Sequence, residues 1–415
     1  MRRRIYLATA AAASIAGCMD FVRPDAEDDE PDDEPDDGDD PPALEAAGDD
    51  GTIDEFADLE AWTVVSGNAS LVDEDAGVGE TAVRLAAGSD DDGARMVREL
   101  PEPLDCSEAS PGLAVAPDDT VTVLLQLFDD SGNVLDFRTT VHEADEPRRC
   151  NFGIDTAADD VDPTDITTIH VAFFAGEDAE QELLIDDLHL VPRPETGLVT
   201  IQFDNGHESI YDEGFPVLEE YGYPATAFVP TDLIRALDDH EGERFTEAQL
   251  EELSDAGWTI ASHTANAHQL PDLEPDDQAD QLAEAREWLE AEGYDDGAGY
   301  VSYPVGRYDG SSLEYAAETY DLGFELGYPV QGYVADPARY PRVVDPEVED
   351  AEELLERTAE LGGITSLCYY ALEGDVVERF EETMALLADH VENGDLEVIT
   401  LADIESEYVF DADGE

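Results

Sequence analysis

Basic residues are nearly missing from this sequence. Lys and Arg number 19 against 106 Asp and Glu over 415 residues, a formal charge of -87. A surface of that sign repels nucleic acid and anionic lipid, which excludes both as direct partners. Cysteine is almost as scarce, with four residues, so the fold is not a small disulfide-built scaffold. Long apolar runs are missing too, and the one near the start is too short to cross a bilayer. Disorder does not follow from the charge, because 42% of residues are hydrophobic. The acids are spread along the whole chain, between core-like runs. That pattern fits a folded protein adapted to very high salt, where self-repulsion is screened.

What is present begins with an export signal. Residues 1–18 open with Arg2-Arg3-Arg4, continue through Ile5-Tyr6-Leu7 and a small-residue apolar run, and end at Gly17-Cys18. The pair Arg3-Arg4 resembles a twin-arginine signal, and Ile15-Ala16-Gly17-Cys18 resembles a lipoprotein cleavage box. Cys18 is therefore the expected lipidation site, and any membrane attachment runs through that lipid anchor alone. The protein is expected at the outer face of the cell membrane or outside the cell. Residues 19–50 are dominated by Asp, Glu, Pro and Gly and are expected to form an extended acidic tether.

Residues 51–193 carry short alternating segments separated by turn residues such as Ser131-Gly132-Asn133, with no helical period between them. This predicts a β-sandwich. The opening Phe56-x-x-Leu59-x-x-Trp62 and the closing Ile185-Asp186-Asp187-Leu188 resemble carbohydrate-binding jelly rolls, and Trp62 reads more readily as core than as a sugar platform. Cys106 and Cys150 flank one stretch of this exported region, so a disulfide between them is expected. Cys368 lies in an apolar run and reads as a buried thiol.

Residues 197–405 alternate apolar strand-like runs with helical patterns, which predicts βα units and a mostly parallel sheet, open or closed. The first run, Leu198–Phe203, meets Asp204-Asn205-Gly206. The third, Thr259–Ala261, is followed by His263 and His268, two of only eight histidines. The fourth is followed by Tyr303-Pro304-Val305-Gly306-Arg307. Ligands and catalytic groups gather at the carboxyl ends of parallel strands, so these groups are expected to converge. Two imidazoles with an Asp or Asn oxygen suit a borderline divalent metal with an open position, zinc first.

This set is similar to the polysaccharide deacetylases (NodB homology, carbohydrate esterase family 4). Phe203-Asp204, Gly206, His263-Thr264 and Tyr303-Pro304-Val305-Gly306 match the family's motifs in order. The resemblance implies a distorted (β/α) barrel and metal-dependent hydrolysis of N- or O-acetyl groups on glycans. It implies Asp204 as base, His263, His268 and Asn205 as metal ligands, and Tyr303, Pro304, Gly306 and Arg307 along the substrate groove. Three departures stand out. Asn205 replaces a metal-binding Asp, four residues separate His263 from His268 where the family has three, and Tyr370 occupies the place of a catalytic His. Tyr370 is then expected as an oxyanion or leaving-group contact. A barrel that binds glycan without turnover is the alternative.

Overall fold

A computed structural model describes residues 51–72, 81–144, 146–175, 179–235 and 243–410. The signal, Cys18 and the tether lie outside the described residues. Among the described residues no helix is long and apolar enough to cross a membrane.

The amino-terminal part forms two six-stranded sheets whose strand pairs are antiparallel. Leu85, Leu113, Val115 and Ile185 of one sheet join Met96, Val123, Leu125, Phe137 and Val171 of the other in a single apolar cluster. Alternation places these residues on inner faces and polar ones outside. Trp62 is buried in this cluster, against Phe56, and its indole N–H donates to Asp54 at 2.9 Å. The expected disulfide does not form. Cys106 and Cys150 are both free, buried thiols, pushed up to about 12 by burial. Cys150 lies against the Arg339 guanidinium. Their place at the two ends of one exported stretch had suggested the bond, but a bridge needs paired Cβ geometry. Cys368 is buried and free, as read from its apolar run.

From Gly197 the chain builds a closed ring of seven parallel strands. In chain order these are Gly197–Phe203, Thr226–Val229, Thr259–Ser262, Tyr300–Ser302, Leu322–Leu326, Tyr340–Val344 and Ile364–Tyr369. The ring closes because the first strand pairs with both the second and the seventh. A short strand, Leu396–Val398, adds to the first strand outside the ring. Six of the seven ring strands lie on the apolar runs read from sequence, and Tyr340–Val344 does not.

Alternation along the first strand decides what the barrel holds. Val199, Ile201 and Phe203 face the surrounding helices and pack with Leu250, Leu289, Leu355 and Phe380. Leu198 joins an interior cluster with Phe228, Tyr300, Phe324 and Tyr340. Thr200, Gln202 and Asp204 share the phase of Leu198. Thr200 donates to Ser366 at 2.9 Å, and Gln202 donates to Thr200 at 2.9 Å. The barrel interior is therefore polar toward its carboxyl end.

The two parts are joined by polar contacts. Buried Arg193 donates to the carbonyls of Leu361, Cys106 and Ser107, at 3.0, 3.2 and 2.7 Å. Arg148 pairs with Asp336 at 3.0 and 3.3 Å. Nearby Glu325 is fully enclosed beside Arg339 and Tyr308, and burial pushes its carboxyl up to about 7 despite both. The folded state then holds this proton more tightly than the unfolded chain, whose ordinary value is 4.5. That stability is complete below 4.5 and is lost as pH rises toward about 7. Glu325→Gln should flatten this decline in denaturant-unfolding free energies taken at steps across that range. Equal slopes in wild type and variant would contradict the assignment.

Candidate active site

The inward phase of the strands predicts which side chains meet. On the third strand it runs Thr259, Ala261, His263; on the fourth Tyr300, Ser302; on the sixth Tyr340, Arg342; on the seventh Ser366, Cys368, Tyr370. These strand ends meet around Asp204.

Asp204 is completely buried. Arg342 grips it with two hydrogen bonds, Nη1 to Oδ1 at 2.8 Å and Nη2 to Oδ2 at 2.9 Å. The same guanidinium reaches Gln202 Oε1 at 3.2 Å and lies over the rings of Phe228 and Phe324, 5.4 and 5.8 Å from their centroids. Burial would raise the Asp204 carboxyl, but Arg342, His263 and a hydrogen bond from Ser302 together hold it below its usual range. The carboxylate is thus ionised and accepts only.

This settles the orientation of its neighbours. With Ser302 donating its one proton to Asp204, its oxygen is left to accept. His263 Nδ1 lies 2.6 Å from Ser302 Oγ, so Nδ1 carries the hydrogen and donates to that oxygen. Nε2 is left with its lone pair. Burial pushes His263 down to about 4, so the ring is neutral at physiological pH. Asp204, Ser302 and His263 form one chain of hydrogen bonds.

Several expectations from sequence change here. Asp204, expected as the base, has no exposure, and both of its oxygens lie on Arg342. His268 is exposed and lines a surface hollow with Asn266, Asp277, Asp280 and Glu284, a hollow that neither His263 nor Asn205 lines. Asn205 sits at φ 73°, and its backbone carbonyl accepts from Arg244 at 2.5 Å. Tyr303 is buried, with its hydroxyl on the Ala338 carbonyl at 2.6 Å, so it packs and does not reach the groove. Pro304 and Gly306 are buried parts of a tight turn that holds Val305 at φ 53°. Arg307 is exposed and donates to Gln269 at 2.8 Å. Tyr370 lies near Asp204, its phenol raised by burial and by that carboxylate. Ser302 and Arg342 were missed. Only the inward phase of an unrecognised strand could have pointed to Arg342.

The sequence model of the polysaccharide deacetylase family matches residues 192–323, which hold Asp204, His263 and Ser302. The first part of the barrel is similar to the polysaccharide deacetylase family. YxkH of Bacillus subtilis, named as a polysaccharide deacetylase, is 32% identical over 135 residues, 32% of this chain and 45% of its own length. The poly-β-1,6-N-acetyl-D-glucosamine N-deacetylase of Staphylococcus epidermidis is 40% identical over 73 residues, 17% of this chain and 25% of its own. The chain thus spans less than half the length of these relatives. Among solved structures, a family 4 acetyl xylan esterase from Clostridium thermocellum with a cobalt ion is 14% identical, with a TM-score of 0.38, over 52% of this chain and 95% of that one.

Deacetylases of that family generally depend on a metal, so the donors gathered here can be tested for one. Among the described residues no three His, Cys, Asp or Glu side chains gather to hold an ion. The carboxylate nearest His263 is neutralised by Arg342, and His263 also feels the positive charge of Arg244. Two guanidiniums against one carboxylate oppose a divalent cation. His263 offers one free nitrogen, but the set around it does not fit a metal centre.

Proposed function

We propose that this protein hydrolyses acetyl amide groups on a glycan held at the carboxyl end of the barrel. The observation that carries the reading is the convergence of Asp204, Ser302 and His263 from three strands, inside the stretch matched by the deacetylase family. The Asp204–Arg342 pair fixes this end of the barrel, and Ser302 passes that order to a neutral His263. The exposed parts of the Tyr303–Arg307 turn, Val305 and Arg307, supply one wall for a sugar chain.

The finer reading follows the sequence. The two amino-terminal sheets act as a glycan-binding sandwich. The chain is exported, lipid-anchored through Cys18, lifted by its acidic tether and adapted to high salt. A second reading, a glycan-binding barrel without turnover, is favoured by one observation: the family's expected base is fully engaged by Arg342.

Acetate release from N-acetylglucosamine oligomers, measured with the full chain in molar salt, separates the two readings. The enzyme reading expects steady release that stops in His263→Ala and survives in His268→Ala. Oligomer binding without acetate from the wild type would leave only the binding role.

A further inference from the structure

The antiparallel sheets touch the barrel at its carboxyl end, on the turn that follows the fourth ring strand. Val121 pairs with Val141, so Thr120 and His142 leave their sheet side by side. Thr120 Oγ1 lies 3.0 Å from His142 Nδ1. The same imidazole bonds to the Gly306 carbonyl and meets the ring of Tyr308 edge-on, with 4.9 Å between centroids. A carbonyl can only accept, so the imidazole supplies the hydrogen. Burial and the charges of Arg307 and Arg339 hold the ring below its usual value, so it is neutral at neutral pH.

The turn that His142 holds has an uncommon shape. Val305 adopts φ 53° and ψ 24°, a left-handed conformation that a β-branched residue rarely takes. Its side chain is 47% exposed, just past the strand that carries Ser302. Gly306 follows at φ 69°, where an added Cβ would meet Leu326 at 2.5 Å, so the turn lies as close to the fifth strand as glycine allows. Such a backbone costs free energy, lasts only where its surroundings over-determine it, and clusters where ligands are held. Within the turn, the Gly306 N–H donates to the Tyr303 carbonyl at 2.8 Å and the Arg307 N–H to the Pro304 carbonyl at 3.2 Å. From outside it, Gln269 of the barrel accepts from Arg307 at 2.8 Å, and His142 of the sheets grips the Gly306 carbonyl.

We propose that His142 is a positioning residue for the glycan: through the Gly306 carbonyl it fixes the Tyr303–Arg307 turn, so the amino-terminal sheets complete the groove wall that the barrel begins. The proposal rests on the reading that a glycan lies at the carboxyl end of the barrel. His142 touches no reacting atom. It sets where Val305 and Arg307 stand, an apolar side chain for the C–H face of a sugar ring and a guanidinium for its hydroxyls. Arg148 on Asp336 and Arg193 on the Leu361 carbonyl keep the sheets and the barrel in that register.

The test uses the full chain in molar salt. Acetate release from N-acetylglucosamine oligomers gives kcat and KM, and calorimetric titration with the same oligomers gives Kd. His142→Ala should raise KM and Kd roughly five- to tenfold with kcat near wild type, the size of one lost hydrogen bond. His142→Gln still donates and should recover most of that loss. In a Val305→Gly background the His142→Ala loss should shrink to about twofold or less, because both act through one turn. Unchanged KM and Kd in His142→Ala, a loss confined to kcat, or an additive loss in the Val305→Gly background overturns the proposal while the deacetylase reading stands. Melting curves check folding. If His142→Ala does not fold, Thr120→Val at its exposed position decides: KM and Kd about two- to threefold above wild type support the proposal, and wild-type values overturn it. A wild type that binds oligomers without releasing acetate removes turnover and leaves the Kd values to decide here. A wild type that binds no oligomer removes both readings.

Discussion

Arg342→Met should cost about 3–5 kcal/mol of folding free energy, because it strands a completely buried carboxylate. Asp204 has no other cation in hydrogen-bond contact, and its remaining side-chain donors, Ser302 and Cys368, are neutral. The methionine would keep the contacts with Phe228 and Phe324, so lost charge and not lost volume dominates. Denaturant unfolding in molar salt reads the effect directly. The double variant Arg342→Met with Asp204→Asn should recover most of the loss, since removing both charges leaves no uncompensated ion. The sign against pH is fixed as well. Asp204 folds with a lowered pKa, so the pair's contribution is present above the unfolded carboxyl range and is lost as pH falls through the folded value. A single variant within about 1 kcal/mol of wild type, on the scale of an exposed ion pair, would show that this pair does not hold the barrel end.

Salt removal should be comparably damaging. At a formal charge of -87 the surface repels itself, and the Debye length sets how far. That length is about 3 Å at 1 M and about 30 Å at 0.01 M, so at low salt each acid feels charges across the whole domain. Helix Pro275–Glu292 shows the arrangement. Leu282, Ala285 and Leu289 are buried, while its outer face carries Asp276, Asp277, Glu284 and Glu287. Only Arg286 there is positive, and it pairs with Glu290 at 3.0 Å. Dilution from molar to 10 mM salt is expected to cost about 5 kcal/mol, a third or more of ordinary stability. Melting would then fall by roughly 10–20 °C. Sucrose at equal osmolality should not replace salt, because screening and not exclusion from the surface is required. The same melting temperature in 10 mM and molar sodium chloride would contradict the reading.

Much of the barrel was legible because strands covered on both faces are apolar runs. Leu198–Phe203 and Thr259–Ala261 each fall one residue short of the strand they mark, Gly197–Phe203 and Thr259–Ser262. Tyr340–Val344 escaped because it reads Tyr-Pro-Arg-Val-Val, and a proline and an arginine argue against a central strand. That omission hid the central contact of the site, for Arg342 reaches Asp204 across 138 positions of sequence. Strand-end position was enough to bring His263 to Asp204. It was not enough for His268, which left the strand on a loop and went to the surface. The cysteine pairing failed for the same reason: spacing along a chain carries little about Cβ geometry.

The central claim is that Asp204, Ser302 and His263 act as one chain at the barrel mouth. Nitrogen NMR of the ¹⁵N-labelled imidazole, with Asp204→Asn as reference, tests it most directly. The account predicts a neutral His263 ring from pH 5 upward, protonated on Nδ1 and bare on Nε2, with that order lost in the variant. A ring that titrates near 6.5, or one protonated on Nε2, would contradict it.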